Sequence, residues 1–374
     1  MTTAEPAELE RARMVAHRSA VQGLTARAPI SGVGVLDVGL HDAPASSADI
    51  ALAVRTGDPR AAEDPSLVRV LSVRGAPHLH RRADLPRLRD ALRPRDDRDL
   101  LALLGGHGPA FVESTVDTLA MVDEVVELMR ARFPGERASK GELSGAISPH
   151  LPPPARPWCE GCGSAHVIEG LFRVGTLLAG IEFEWRDRRL SFLPPSTMDS
   201  QGGDAALVRA FVHYAGPVHE DDLRTWLVAG AVPQKPPWTP HGWADVRAES
   251  EPVRVDGNRL TMAPGALAAA EKAPAPPAAL LLAPRDPYLL GHRTLLVPDR
   301  ALAGQVWRSP VSAGAVLLDG EVAGTWRPRA SGSKITLTVQ TVHPFPPDVR
   351  HDLEEQAQLI AETRGAGAAA VVWE

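Results

Sequence analysis

The chain has 374 residues, with 40 basic against 46 acidic side chains and a formal net charge of −6. That length exceeds one small core, so roughly two to four modules are expected, and the mild acidity argues against a general nucleic-acid coat protein while leaving room for a local basic face. No run of ~18 apolar residues predicts a membrane span, the opening Met1-Thr2-Thr3-Ala4-Glu5-Pro6 lacks the basic-then-apolar order of a signal peptide, and the two cysteines form no disulfide framework and suit a reducing cytoplasm.

In chain order, residues 7–28 read as a helix that Gly23 and Pro29 punctuate. Val33 to Leu40 is a short apolar segment running into the turn-rich loop His41-Asp42-Ala43-Pro44-Ala45-Ser46-Ser47. Ala48 to Arg55 follows as a helix with Ser46 or Ser47 as N-cap. Leu67 to Val73 reads as a strand ended by Arg74-Gly75-Ala76-Pro77, with His78-Leu79-His80 after it. From about residue 96 the pattern turns helical, and Val116 to Phe133 is a long amphipathic helix. Ser139 and Glu142 stand at capping-box spacing and open a helix to Ile147. Val167 to Leu178 is a third helix, and Ile181 to Trp185 with Arg188 to Phe192 form a strand pair. Three helices and then a hairpin is the order of a winged helix.

The order recurs. Asp204 to Tyr214 and His219 to Leu227 are helices, the second acidic at its start as the macrodipole favours. A third element spans roughly Pro237 to Val246, and Val253 to Met262 is a hairpin with a Gly-Asn type turn. Ala263 to Pro277 is an Ala/Pro linker. Residues 278–345 are strand-rich, and Asp348 to Thr363 is a final helix. Within the strand-rich part, Val316 to Leu318 leads into Asp319-Gly320, which tolerates the positive φ of a type I′ turn, and Glu321 to Arg327 returns.

Five segments carry a family resemblance: Gly39-Leu40-His41-Asp42-Ala43-Pro44, Arg74-Gly75-Ala76-Pro77-His78, Tyr214-Ala215-Gly216-Pro217 followed by Trp226, Asp286-Pro287-Tyr288-Leu289-Leu290-Gly291-His292-Arg293, and Asp319-Gly320 with Gly324-Thr325-Trp326. In this order they resemble the winged-helix DNA glycosylases of the AlkZ and YcaQ types, from about residue 11 to 330. That family excises alkylated purines and unhooks interstrand crosslinks. Its active-site motif is a glutamine, an apolar residue, then a second glutamine or an aspartate. His41 falls where the first glutamine is expected and position 43 is alanine, so the second polar group is absent or has moved to Asp42. The resemblance therefore implies His41 and Asp42 as the catalytic pair, positioning water and stabilising an oxocarbenium-like sugar. Read without it, Asp42 simply caps the turn before the second helix.

Arg18, His78, Arg285, Arg293, Trp326, Arg327 and Arg329 are the candidate DNA-facing residues. The plainer alternatives are structural histidines, a solvated arginine face, and a Trp326 that covers a barrel edge. Arginine predominates, with lysine only at Lys140, Lys235, Lys272 and Lys334, a bias that GC-rich coding alone can produce. Cys159-Glu160-Gly161-Cys162 with His166 has metal-type spacing and offers three zinc ligands, with His150 as a candidate fourth. The alternative is two reduced cysteines in a loop, and without a complete four-ligand set no metal or other cofactor is assigned. No P-loop, dinucleotide loop or nucleophile elbow is present.

These readings predict an α+β protein of tandem winged-helix modules with a C-terminal β-rich, barrel-like module. The expected divisions are 1–114 carrying the active-site loop, winged helices at 115–195 and 200–265, and a β-rich module with its final helix at 278–374. The expected function is a cytoplasmic, nucleoid-associated monomer acting on damaged double-stranded DNA as a glycosylase for bulky or crosslinked alkylpurines. A non-catalytic winged-helix DNA-binding protein that lost the glutamine motif is the alternative, and a protein–protein module the third.

Overall fold

The structure is a computed structural model that describes residues 5–197, 199, 200, 202, 205–228, 234–297, 299–307 and 312–374. The chain forms two compact units. The first gathers Met1–Leu67, Val208–Leu223 and Gly242–Glu374, and the second gathers Val68–Leu207 and Arg224–His241.

In the first unit the opening helix is Arg11–Val21, shorter at both ends than the expected 7–28. Ala7–Glu8 instead lies parallel to Val253 and Arg254. At the other end Gly23 takes φ +70 and Leu24 N–H closes back on Ser19 O at 2.9 Å, a left-handed stop that only glycine makes cheaply. The second helix is Ser47–Thr56, stopped the same way by Gly57 at φ +77. The helix Ala206–Ala215 matches the expected one, whose start at Asp204 lies outside the described residues. The expected helix His219–Leu227 is present as Glu220–Leu227, whereas the third expected element, Pro237 to Val246, begins late: the helix is Trp243–Glu249, with Gly242 as its N-cap. Pro236, Pro237 and Pro240 bias the residues before them away from helical backbone.

Glu251–Val255 pairs with Asn258–Met262. Its turn is Asp256-Gly257, at φ +47 and +77, rather than the Gly-Asn type expected. The supposed linker contains a helix, Ala266–Glu271. Alanine is the best helix former, and the Glu251 carboxylate accepts from the backbone amides of Gly265 (2.9 Å) and Leu267 (3.0 Å) at its start.

The C-terminal sheet has five strands in the order Ala279–Leu282, Gly314–Leu318, Glu321–Ser331, Lys334–Thr341 and Ala368–Trp373. The first four pair antiparallel and the last joins parallel. Mixed helices and strands with this curled half-barrel sheet bear out the α+β class. The helix Pro347–Thr363 covers the sheet with Val349, Leu353, Ala357 and Ile360, all buried and at helical spacing.

In the second unit Thr118–Ala131 is capped by Asp117, whose side chain accepts from Ala120 N–H at 2.9 Å. The box at Ser139 forms as expected: Glu142 N–H donates to Ser139 Oγ (3.2 Å) and Ser139 N–H to Glu142 Oε2 (2.7 Å). Ala138–Ser139 also adds a third strand to the hairpin Phe183–Arg186 and Arg189–Phe192. With Lys140–Ile147 and Glu169–Leu178 this makes the helix, strand, helix, helix, hairpin order. Its core includes Val122, Val125, Met129, Leu143, Leu171, Phe172 and Phe192. Among the described residues no helix is long and apolar enough to cross a membrane.

Candidate active site

Gly39 at φ +79 turns the chain into the short strand Leu40–His41. Asp42 follows with no exposed surface, and its Oδ1 accepts the Ala48 amide at 3.2 Å. The carboxylate therefore sits at the positive end of the second helix and fastens the loop to it. Ser47 Oγ donates to Pro44 O at 2.7 Å. Ser46, expected as a side-chain cap, makes no such bond and sits at φ +71. The Ala43 amide donates to His41 Nδ1 at 3.2 Å. A ring nitrogen that accepts carries no hydrogen, so this bond places the ring hydrogen on Nε2. His41 is partly exposed, so of the two candidate groups it alone reaches solvent.

The Asp286-Pro287-Tyr288 corner is held by side chains of the first two helices and of Gln22 just past the first. Asp286 Oδ1 accepts from Tyr288 N–H at 2.9 Å and caps the turn Pro287–Leu289. Arg55 makes a two-pronged ion pair with Asp286, Nη1 to Oδ2 at 2.9 Å and Nη2 to Oδ1 at 2.8 Å, both side chains being buried. Gln22 Nε2 donates to Tyr214 O at 2.7 Å and Pro287 O at 3.2 Å. Tyr288 Oη donates to Gly320 O at 2.5 Å. Three of the segments that carry the resemblance thus meet at this corner.

Arg18 belongs to the same network, which corrects its assignment to DNA. It is wholly buried and donates to Tyr288 O at 3.0 Å, to Ala215 O at 3.0 Å and to Leu290 O. Burial pulls its guanidinium down to about 10, against the partial opposition of Tyr288 and Asp222. Trp326 is corrected likewise: it is 1% exposed, and its Nε1–H donates to Leu282 O at 2.8 Å. It lies flush on Gly314, where a Cβ would come within 2.2 Å of the indole. His78 is buried as well, its Nδ1 at 2.9 Å from Ala76 O, so it presents no face to a groove.

The other four arginines remain available. Arg327 and Arg329 are exposed two positions apart on one strand, and therefore share a face. Arg285 is half-buried at φ +60, and among the described residues it makes no hydrogen bond or ion pair. Burial pulls its guanidinium below the ordinary range. Arg293 lies over the Trp307 ring at 4.9 Å. Burial lowers it too, with Asp222 opposing and the like charge of Arg285 adding to the fall. Two neighbouring cations, one lowered by the charge of the other, form a natural anion site.

Sequence reasoning missed the structural roles of Gln22, Arg55 and Asp286. It also missed two imidazoles, His17 and His213. Burial holds His17 below its ordinary range, reinforced by His213 and Arg18. Burial lowers His213 as well, with Asp37 opposing. Tyr214 Oη donates to the same Asp37 at 3.2 Å. In the second unit, Cys159, Cys162 and His166 do meet, whereas His150 is exposed and stands outside the group.

The sequence matches the family described as DNA glycosylase AlkZ-like over residues 30–363, and the chain belongs to that family. Among solved structures it is similar to the DNA glycosylase AlkZ of Streptomyces sahachiroi, with a TM-score of 0.73 and 18% sequence identity, covering 98% of this chain and 100% of that one. At that identity the likeness establishes the fold. A search of the curated proteins gave no match.

Proposed function

We propose that the chain hydrolyses the N-glycosidic bond of bulky or crosslinked alkylpurines in double-stranded DNA, acting as a monomer in the nucleoid. The observation that carries this is the loop at 39–47: a partly exposed imidazole, its Nδ1 accepting from the Ala43 amide, on a segment anchored by a buried carboxylate. N7 alkylation leaves the purine positively charged, so the C1′–N9 bond breaks with the base departing neutral. The sugar then carries oxocarbenium character. His41 Nε2–H is suited to orient the water that adds to C1′, whose proton passes to solvent. Asp42 touches neither water nor sugar in this reading. Its carboxylate positions the loop and offsets charge on the sugar through space. The choice of bulky or crosslinked lesions rests on the five-segment resemblance. The experiment is incubation with duplex DNA carrying a single N7-alkylguanine, followed by scoring of alkali-labile abasic sites. Stoichiometric abasic sites are expected. Tight duplex binding with no release from any alkylated DNA would favour the non-catalytic reading.

Phosphate contacts are assigned to Arg285, Arg293, Arg327 and Arg329. The half-buried Arg285 carries this most strongly, because a desolvated guanidinium without a carboxylate is stabilised by an incoming anion. Replacing Arg285 and Arg293 together with Ala should weaken duplex binding by about tenfold and flatten the slope of log K against log salt by roughly 2, about 0.9 per lost phosphate contact. The check is a salt titration by anisotropy on undamaged duplex. An unchanged slope would remove both residues from the interface.

A further inference from the structure

We propose that Cys159, Cys162 and His166 bind one zinc ion, with the fourth coordination position open to water. The three ligand atoms lie within 4.8 Å of one another. Tetrahedral zinc with sulfur at ~2.3 Å requires separations of roughly 3.5–3.8 Å, so a small closure of the loop is enough. The backbone is already shaped for a knuckle. Trp158–Cys159 pairs antiparallel with Ser164–Ala165. Between them Cys162 N–H donates to Cys159 O at 3.2 Å and Gly163 N–H to Glu160 O at 3.3 Å. Gly163 at φ +60 then turns the chain back, a conformation that glycine adopts without strain. Both sulfurs are consequently delivered to the same side of a tight turn.

The independent observation is His166. Its Nδ1 lies 2.9 Å from Val167 O. A carbonyl only accepts, so Nδ1 carries the hydrogen and the Nε2 lone pair is free. That Nε2 is shut off from solvent and makes no hydrogen bond of ordinary geometry, and the side chain it interacts with is Cys159. A nitrogen closed to water and lying among two sulfurs is placed as a metal ligand would be. Orientation of a ligating imidazole by a backbone carbonyl at its other nitrogen is the usual supporting arrangement at zinc. Among the described residues no further histidine, cysteine or carboxylate joins the group, and Cys162 is exposed, so water completes the set. Lys140, the nearby cation, is already paired with Glu169 at 2.5 Å. Two thiolates with one dication are neutral together, and mixed thiolate and imidazole ligands select zinc over the hard cations.

A two-strand hairpin of this size does not hold itself together. The ion would staple the segment just ahead of the helix Glu169–Leu178. The test uses the full chain, purified in reductant without chelator. Close to one zinc per chain is expected by elemental analysis. Replacement with Co2+ should give thiolate-to-cobalt charge-transfer bands and intense tetrahedral d–d bands. Cys162→Ser, at an exposed position, should keep the fold by circular dichroism and lose at least tenfold in zinc affinity. Folded wild type that holds no zinc and shows no cobalt–thiolate bands would overturn the proposal. So would equal zinc content in Cys159→Ser, Cys162→Ser and wild type, or a disulfide between the two cysteines under reducing conditions.

Discussion

Replacing His41 with Ala should lower single-turnover release of N7-alkylguanine by a factor on the order of 10² or more, the range for loss of a positioned imidazole. Duplex affinity should change by less than about twofold, because the phosphate contacts assigned above lie on other residues. His41→Gln should retain more activity than His41→Ala, since a carboxamide also offers an N–H to water. Asp42→Asn separates the two roles given to Asp42. The amide oxygen can still accept from Ala48 N–H, so the loop should stay in place while the charge is lost. A fall in excision at unchanged thermal stability would assign an electrostatic contribution to Asp42. Wild-type rates in His41→Ala would move the chemistry to another part of the chain.

The largest stability effect should come from Asp286→Ala. The Arg55–Asp286 pair is buried and two-pronged, and Arg55 also donates to Gln22 O at 2.9 Å and Ala51 O at 2.8 Å. Removing the carboxylate leaves a guanidinium in the interior, which costs about 3–5 kcal/mol, and it also uncaps the Tyr288 amide. The shift should be plain in a denaturant midpoint. Arg55→Met combined with Asp286→Asn removes the charge and keeps an acceptor for that amide, so it should be less damaging than Asp286→Ala alone. If the double variant proves worse than the single, the pair is a net source of stability rather than a mutual neutralisation.

Local chemistry made much of this fold legible in the sequence. The Ser139 box, the Asp319-Gly320 turn and the final helix are each set by neighbours within a few positions, and each forms as read. What could not be read depends on distant partners. Arg18 resembles an exposed helical arginine, yet its acceptors are carbonyls at 215, 288 and 290. Ala368–Trp373 has no strand signature beyond Val371 and Val372. It is a strand because Lys334–Thr341 offers it an edge. The candidate loop at 39–47 is located by resemblance, but that Asp42 turns to the helix and bonds the amide of Ala48 depends on how the second helix packs against it.

Two tight turns in the C-terminal sheet have similar dihedrals and opposite surroundings. At Gly332 the chain turns at φ +58 into open space. At Gly320 it turns at φ +81 with no room to spare, since a Cβ there would fall 2.5 Å from Val15 Cγ1, and its carbonyl is taken by Tyr288. Hairpin tips are ordinarily where a chain accepts inserted sequence. In this protein that tolerance belongs to the 331–334 tip alone of the two. A tag or a guest domain spliced beside Gly332 should leave the fold intact, while one placed at 319–320 should pull out the plug on which the Asp-Pro-Tyr corner closes.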